Sequence, residues 1–122
     1  MGLKSLLSLP FAKHVVRKNK RWKNNAVNVQ NELLLSLVKQ AQNTQFGKDH
    51  SFSEITNYIQ WKAAVPVRDY EGLKNYIQKI IKGKESVLWP GVPLYFCTTS
   101  GTTSGSKYIP ISKESMPNHI TG

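Results

Sequence analysis

The chain holds one cysteine, Cys97, among 122 residues. An intramolecular disulfide is excluded, and so is a cysteine-rich metal site. A reducing compartment is the natural setting for such a chain, so the cytoplasm is the expectation. Long apolar runs are lacking too. None approaches the roughly 20 residues of a membrane-crossing helix, so no transmembrane segment is expected. Acidic residues are scarce, seven against seventeen lysines and arginines, which leaves a net charge of +10.

That excess is concentrated at the amino terminus. Residues 1–24 contain Lys4, Lys13, Arg17, Lys18, Lys20, Arg21 and Lys23 and no acid, whereas the remaining ten basic and seven acidic residues give only +3. A basic helical segment over 1–24 has three functional readings: a membrane-surface helix, a nucleic-acid arm or a mitochondrial transit peptide. The plain alternative is a solvated helix face. A transit peptide favours arginine, but lysines outnumber arginines here by five to two, and "LLSLPFAKH" is interrupted as a secretory core by Ser8 and Pro10. Leu6 occupies the position where myristoylation favours Ser or Thr. Trp22 alone supplies little aromatic interleaving for nucleic acid.

From Asn25 onward the pattern is that of one globular domain, residues 25–122, long enough to bury a core. Leu33, Leu34, Leu37, Val38 and Ala41 form one helical stripe, after which Gly47 is expected to take a left-handed turn. "YIQWKAA" reads as a short helix capped by Asn57, with Gln60 three residues on, and ended by Val65-Pro66. Asp69 caps a third helix whose apolar positions are Leu73, Tyr76, Ile77, Ile80 and Ile81, followed by Gly83. Capping and the helix dipole explain Asp69 and Glu71 without any catalytic role. Past the turn "WPGVP", "LYFCTT" and "KYIPIS" read as two short strands, and Ser112 is placed to cap a further helix with Glu114 in its first turn. The fold class is α/β, amphipathic helices leading into strand, loop, strand.

The joining loop is the unusual part. "CTTSGTTSGSKYIP" sets hydroxyls at Thr98, Thr99, Ser100, Thr102 and Thr103, with Ser104 and Ser106 behind them, around Gly101 and Gly105 and ahead of Lys107. Glycines let a backbone turn its N–H groups into an anion-holding nest, hydroxyls add donors, and lysine adds a point charge. That inventory suits phosphate oxygens. It is not a P-loop: Ser106 stands where the second glycine belongs, Tyr108 where the metal-binding hydroxyl belongs, and a β-branched run with Pro110 follows instead of a helix. Cys97 adjoins the loop, but no motif ties His14, His50 or His119 to it as a base, so it reads as a small buried strand residue. His50 reads as part of a turn.

"TTSGTTSGSK" resembles the phosphate-binding motif of adenylate-forming enzymes. "QFGKDHSFSEI", "VPVRDYEGLKNYI", "VLWPG" and "TTSGTTSGSKYIP", taken in order, resemble the amino-terminal region of the auxin-responsive-promoter family of acyl-acid amido synthetases, bacterial-type members most closely. The similarity runs from about Gln30 to the end. It implies a two-step ligase. A carboxylic acid is activated with ATP and magnesium to an acyl-adenylate and pyrophosphate, and the amine of an amino acid then displaces AMP to give an amide.

Carried over by matching position, the nucleotide phosphate-binding residues are Thr99, Ser100, Gly101, Thr102, Thr103, Gly105 and Lys107. The family's usual Gly-x-Pro-Lys ending is here Gly105-Ser106-Lys107, one residue shorter. Catalytic and metal-binding residues lie beyond Gly122 in the family pattern, so the chain is expected to be the truncated start of an adenylation domain, inactive by itself. Small-molecule acid and amino acid are the implied partners, and nucleic acid is not. The competing expectation is a small basic module for nucleic acid or an anionic membrane surface.

Overall fold

Thr44, Asn57 and Asp69 each sit in extended backbone immediately before a helix, and each accepts a hydrogen bond from an amide three residues on. These caps divide the central part of the chain into short helices. A computed structural model describes residues 3–99 and 105–121. The chain forms two units, Met1–Leu34 and Leu35–Gly122.

In the first unit, α1 spans Leu3–Asn24 with Pro10 inside it, where the ring removes one amide donor from the ladder. Among its described side chains Leu9, Phe11 and Val16 are exposed. Helix α2, Ala26–Ala41, begins in this unit, where the Asn25 carbonyl accepts from Val29 N at 3.0 Å and its side chain from Asn28 Nδ2 at 2.7 Å.

The second unit contains the core: Val38, Ala41, Phe52, Ile77, Ile80, Val87 and Ile111. Only Val38 and Ala41 of the expected α2 stripe are buried, and Leu33 and Leu37 are exposed, because the core closes around the last turn of the helix. Gly47 corrects the sequence reading. It is buried inside a short helix, α3 (Gln45–Asp49), and is not a left-handed turn. A methyl group there would run into the carbonyl of Ala41, so close approach to the end of α2 is what requires glycine. The first two amides of α3 donate to the carbonyls of Ser86 and Val87 at 2.8 and 2.9 Å, which fastens the chain after the third capped helix onto α3. A 3₁₀ turn, Phe52–Glu54, follows.

Helix α4, Tyr58–Ala64, is the Asn57-capped helix. Gln60 N donates to Asn57 at 3.0 Å while Gln60 Oε1 accepts from Thr56 N at 2.7 Å, and Val65 turns extended ahead of Pro66. Helix α5, Tyr70–Ile81, buries Ile77 and Ile80 and ends before Gly83, whose φ is +85°. Strands β1 (Tyr95–Thr99) and β2 (Lys107–Ile111) pair antiparallel, with Tyr95 opposite Ile111 and Thr99 opposite Lys107. The last helix, α6, starts at Met116, later than expected. Ser112 caps a turn instead, accepting from Ser115 N at 3.2 Å, and Glu114 lies in that turn. Among the described residues the elements are mostly helical, with one two-stranded antiparallel sheet in the second unit.

Candidate functional site

The antiparallel register of β1 and β2 sets Thr99 opposite Lys107 at the mouth of the hairpin. Thr99 is exposed and Lys107 half-buried. Ser100, Gly101, Thr102 and Thr103 lie outside the described residues, as does Ser104. Gly105 is described: its φ is +80° and nothing lies within 4 Å of where a side chain would begin. A backbone position in that region suits glycine for conformational reasons alone. Of the seven phosphate-binding candidates, the structure therefore places three, and it sets two of them opposite each other.

The return arm of the hairpin is tied to α5. Tyr108 N donates to the phenol oxygen of Tyr70 at 2.9 Å, and Lys107 Nζ sits 5.5 Å from the centre of the Tyr70 ring, within cation–π range. Tyr70 was not among the residues singled out from the sequence. Its signal was present, since positions 70, 73 and 77 follow helical spacing, so Tyr70 extends the apolar stripe of α5 by one turn. A groove of about 160 Å³ opens beside this contact, lined by Tyr70, Lys74, Gln78, Ser106 and Tyr108 among others. Lys74 is paired there with Glu71 at 3.0 Å.

Cys97 corrects a second expectation. It lies in β1 as expected, opposite Ile109, but is exposed, because that part of the two-stranded sheet has no further layer over it among the described residues. His50 lies in a turn, as expected, at the C-cap of α3. It ends α3, stacks on Phe46 at 4.1 Å, and places Nδ1 2.8 Å from Phe46 O and Nε2 3.1 Å from Arg68 Nη2. With the guanidinium donating to Nε2, the imidazole proton sits on Nδ1 and is given to the carbonyl. Both ring nitrogens are thus engaged. No group of three or more His, Cys, Asp or Glu side chains is arranged to hold a metal among the described residues.

Two titratable groups outside the hairpin are shifted. Burial raises the Tyr76 phenol above its ordinary value, and the hydrogen bond it donates to Asp49 at 2.7 Å raises it further. The carboxyl of Glu114 is lowered, first by its own backbone N–H and then by the Trp89 indole, which donates at 3.1 Å. The first ties α5 to α3, and the second joins the segments that flank the hairpin.

A family model described as the GH3 family N-terminal domain matches residues 15–121. The chain is 30% identical over 115 residues to indole-3-acetic acid-amido synthetase GH3.2 of Arabidopsis thaliana, covering 93% of this chain and 20% of the relative. It is 32% identical over 94 residues to the probable indole-3-acetic acid-amido synthetase GH3.1 of the same plant, covering 75% of this chain and 16% of the relative. Jasmonoyl--L-amino acid synthetase JAR4 of Nicotiana attenuata is 27% identical over 94 residues, again with 75% and 16% covered. The chain spans about a fifth of the length of these relatives, or less.

Proposed function

The chain belongs to the GH3 family, and from that premise we propose that it is the amino-terminal part of an ATP-dependent acyl-acid amido synthetase whose hairpin loop holds the nucleotide phosphates. The fold proposed for the whole is that of the adenylate-forming enzymes. In the reaction, a carboxylate oxygen attacks the α-phosphorus of ATP and pyrophosphate leaves; an amino acid's amine then takes the acyl group and AMP departs.

One observation carries the assignment of the loop: Thr99 and Lys107 face each other at the hairpin mouth, with Gly105 between them in a left-handed conformation. The donor set fits a polyanion. Lys107 supplies a cation, Thr99 a hydroxyl, and Ser100, Gly101, Thr102 and Thr103 supply further hydroxyls and amides in the segment between. Charge develops on the departing pyrophosphate as the α-phosphorus is attacked, so donors fixed in advance lower the barrier more than they tighten the ground state. A single donor of this kind is worth roughly 10²–10³ in rate. Magnesium is a different matter. It would arrive bound to the ATP phosphates, completed by one or two carboxylates, and the residues proposed to supply these lie in the longer ligase.

The test is pyrophosphate release by the longer ligase carrying this segment, with magnesium ATP and a panel of carboxylic acids, beside a variant with Ser100→Ala, Thr102→Ala and Thr103→Ala. Release that needs an acid, and that collapses in the folded variant, supports the reading. A folded wild type that neither binds ATP nor releases pyrophosphate with any acid refutes it. Steeply salt-dependent binding to generic DNA or anionic vesicles would then favour a basic binding module.

A further inference from the structure

Tyr70 stands at the first position of α5, and it meets the hairpin twice. Its phenol oxygen accepts from Tyr108 N at 2.9 Å, across 38 positions of sequence. Its ring lies 5.5 Å from Lys107 Nζ. Residues 107 and 108 are the first two of β2, the arm by which the loop returns. Ser106, just ahead of them, lines the same groove as Tyr70.

From these contacts we infer that Tyr70 is a positioning residue for the phosphate loop, acting through Lys107 and the Tyr108 amide; the inference rests on the proposed function for its ligand. The two contacts divide the work. The hydrogen bond fixes the backbone of the return arm against α5, whose N-terminus is itself held by Asp69 accepting from Gly72 N at 2.9 Å. The ring gives the Lys107 ammonium a defined resting place beside the mouth of the hairpin. A lysine stem has four rotatable bonds, and ordering it on ligand arrival costs entropy that a prior resting place reduces. The cation–π contact is weak enough for phosphate oxygens to replace it. Lys107 is therefore held close to its working position without being locked away.

The experiment compares Tyr70→Phe and Tyr70→Leu in the longer ligase, each alone and with Lys107→Ala. Equilibrium binding of magnesium ATP, the KM for acid, and deuterium uptake by peptides covering residues 106–111 are the readouts. Tyr70→Phe keeps the ring but removes the acceptor, so uptake at 106–111 should rise while ATP binding weakens about two- to threefold. Tyr70→Leu should weaken ATP binding about tenfold and leave the acid KM within about twofold. With Lys107→Ala present, Tyr70→Leu should cost no more than Tyr70→Phe does.

Equal costs of Tyr70→Leu in both backgrounds, or unchanged or tighter ATP binding by a folded Tyr70→Leu protein, would overturn the role through Lys107. Unchanged uptake in Tyr70→Phe would overturn the anchor. If wild type binds no ATP, the proposed function fails together with the Lys107 role, and deuterium uptake still decides the anchor separately.

Discussion

The hydroxyl of Thr44 bridges the end of α2 to Gly47: it donates to Ala41 O at 2.7 Å and accepts from Gly47 N at 3.0 Å. Thr44 is almost wholly buried, at 1% exposure, so both bonds lie out of reach of water. The bridge works only because Gly47 has no side chain, since a Cβ there would collide with the backbone of Ala41 and Gln42. Gly47→Ala should therefore destabilise the protein by about 1–3 kcal/mol through overpacking, although alanine is the better helix former. A urea-melt midpoint that stayed level or rose would show that α2 and α3 can separate freely.

Asp69 accepts from Gly72 N at the start of α5. Asp69→Ala should cost about 0.5–2 kcal/mol and Asp69→Asn much less, because the amide oxygen still accepts. The exposed Glu71–Lys74 pair on the same helix should contribute less than about 0.5 kcal/mol. Thermal melts of the three single variants, with Glu71→Gln as the third, would rank these effects directly.

Local features were the legible ones. The caps at Asn57 and Asp69, the stop at Val65-Pro66 and the two strands around the loop follow from neighbours within a few residues, and the structure places them there. Hidden from the sequence were contacts between distant positions. Tyr70 meets Tyr108 N, Arg68 meets His50 and Trp89 meets Glu114, and no periodicity announces any of these pairings. Gly47 belongs with these, since its role depends on a contact with α2. A glycine after a helix normally marks a left-handed cap, and only the packing of α3 against Ala41 shows that space, not conformation, selected it.

The Tyr76–Asp49 tie sets a pH dependence. With the folded phenol titrating above its ordinary value of about 10, the folded state keeps its proton where the unfolded state has released it. The stabilisation is complete below the unfolded pKa and is lost as pH rises through the folded one. Tyr76→Phe should remove that alkaline decline. Urea midpoints measured across the alkaline range on wild type and variant would decide it, and parallel curves would count against the tie.

Glu114 has the opposite sign. Its folded pKa is lowered, so its contribution is present above the ordinary carboxylate range and disappears as pH falls through the folded value. The indole proton of Trp89 reports the same event, because it donates to this carboxylate. Its NMR shift should titrate with a midpoint below the usual glutamate value. In Glu114→Gln the shift should be insensitive to acid, and a titration persisting there would assign the transition to another group.

Gly105 contrasts with Gly47 in what it forbids. Around Gly47 there is no room for a methyl group, whereas Gly105 has open space and a φ of +80°. A substitution at Gly105 therefore meets conformational strain without a clash. Gly105→Ala should cost roughly 1–2 kcal/mol if the backbone holds its shape. Asparagine tolerates the left-handed region better than alanine, so Gly105→Asn should be the more stable variant and should retain more ATP affinity than Gly105→Ala in the longer ligase. Equal affinities for the two variants would mean that the backbone at residue 105 takes no part in holding phosphate, leaving that task to the side chains of Thr99, Lys107 and the segment between.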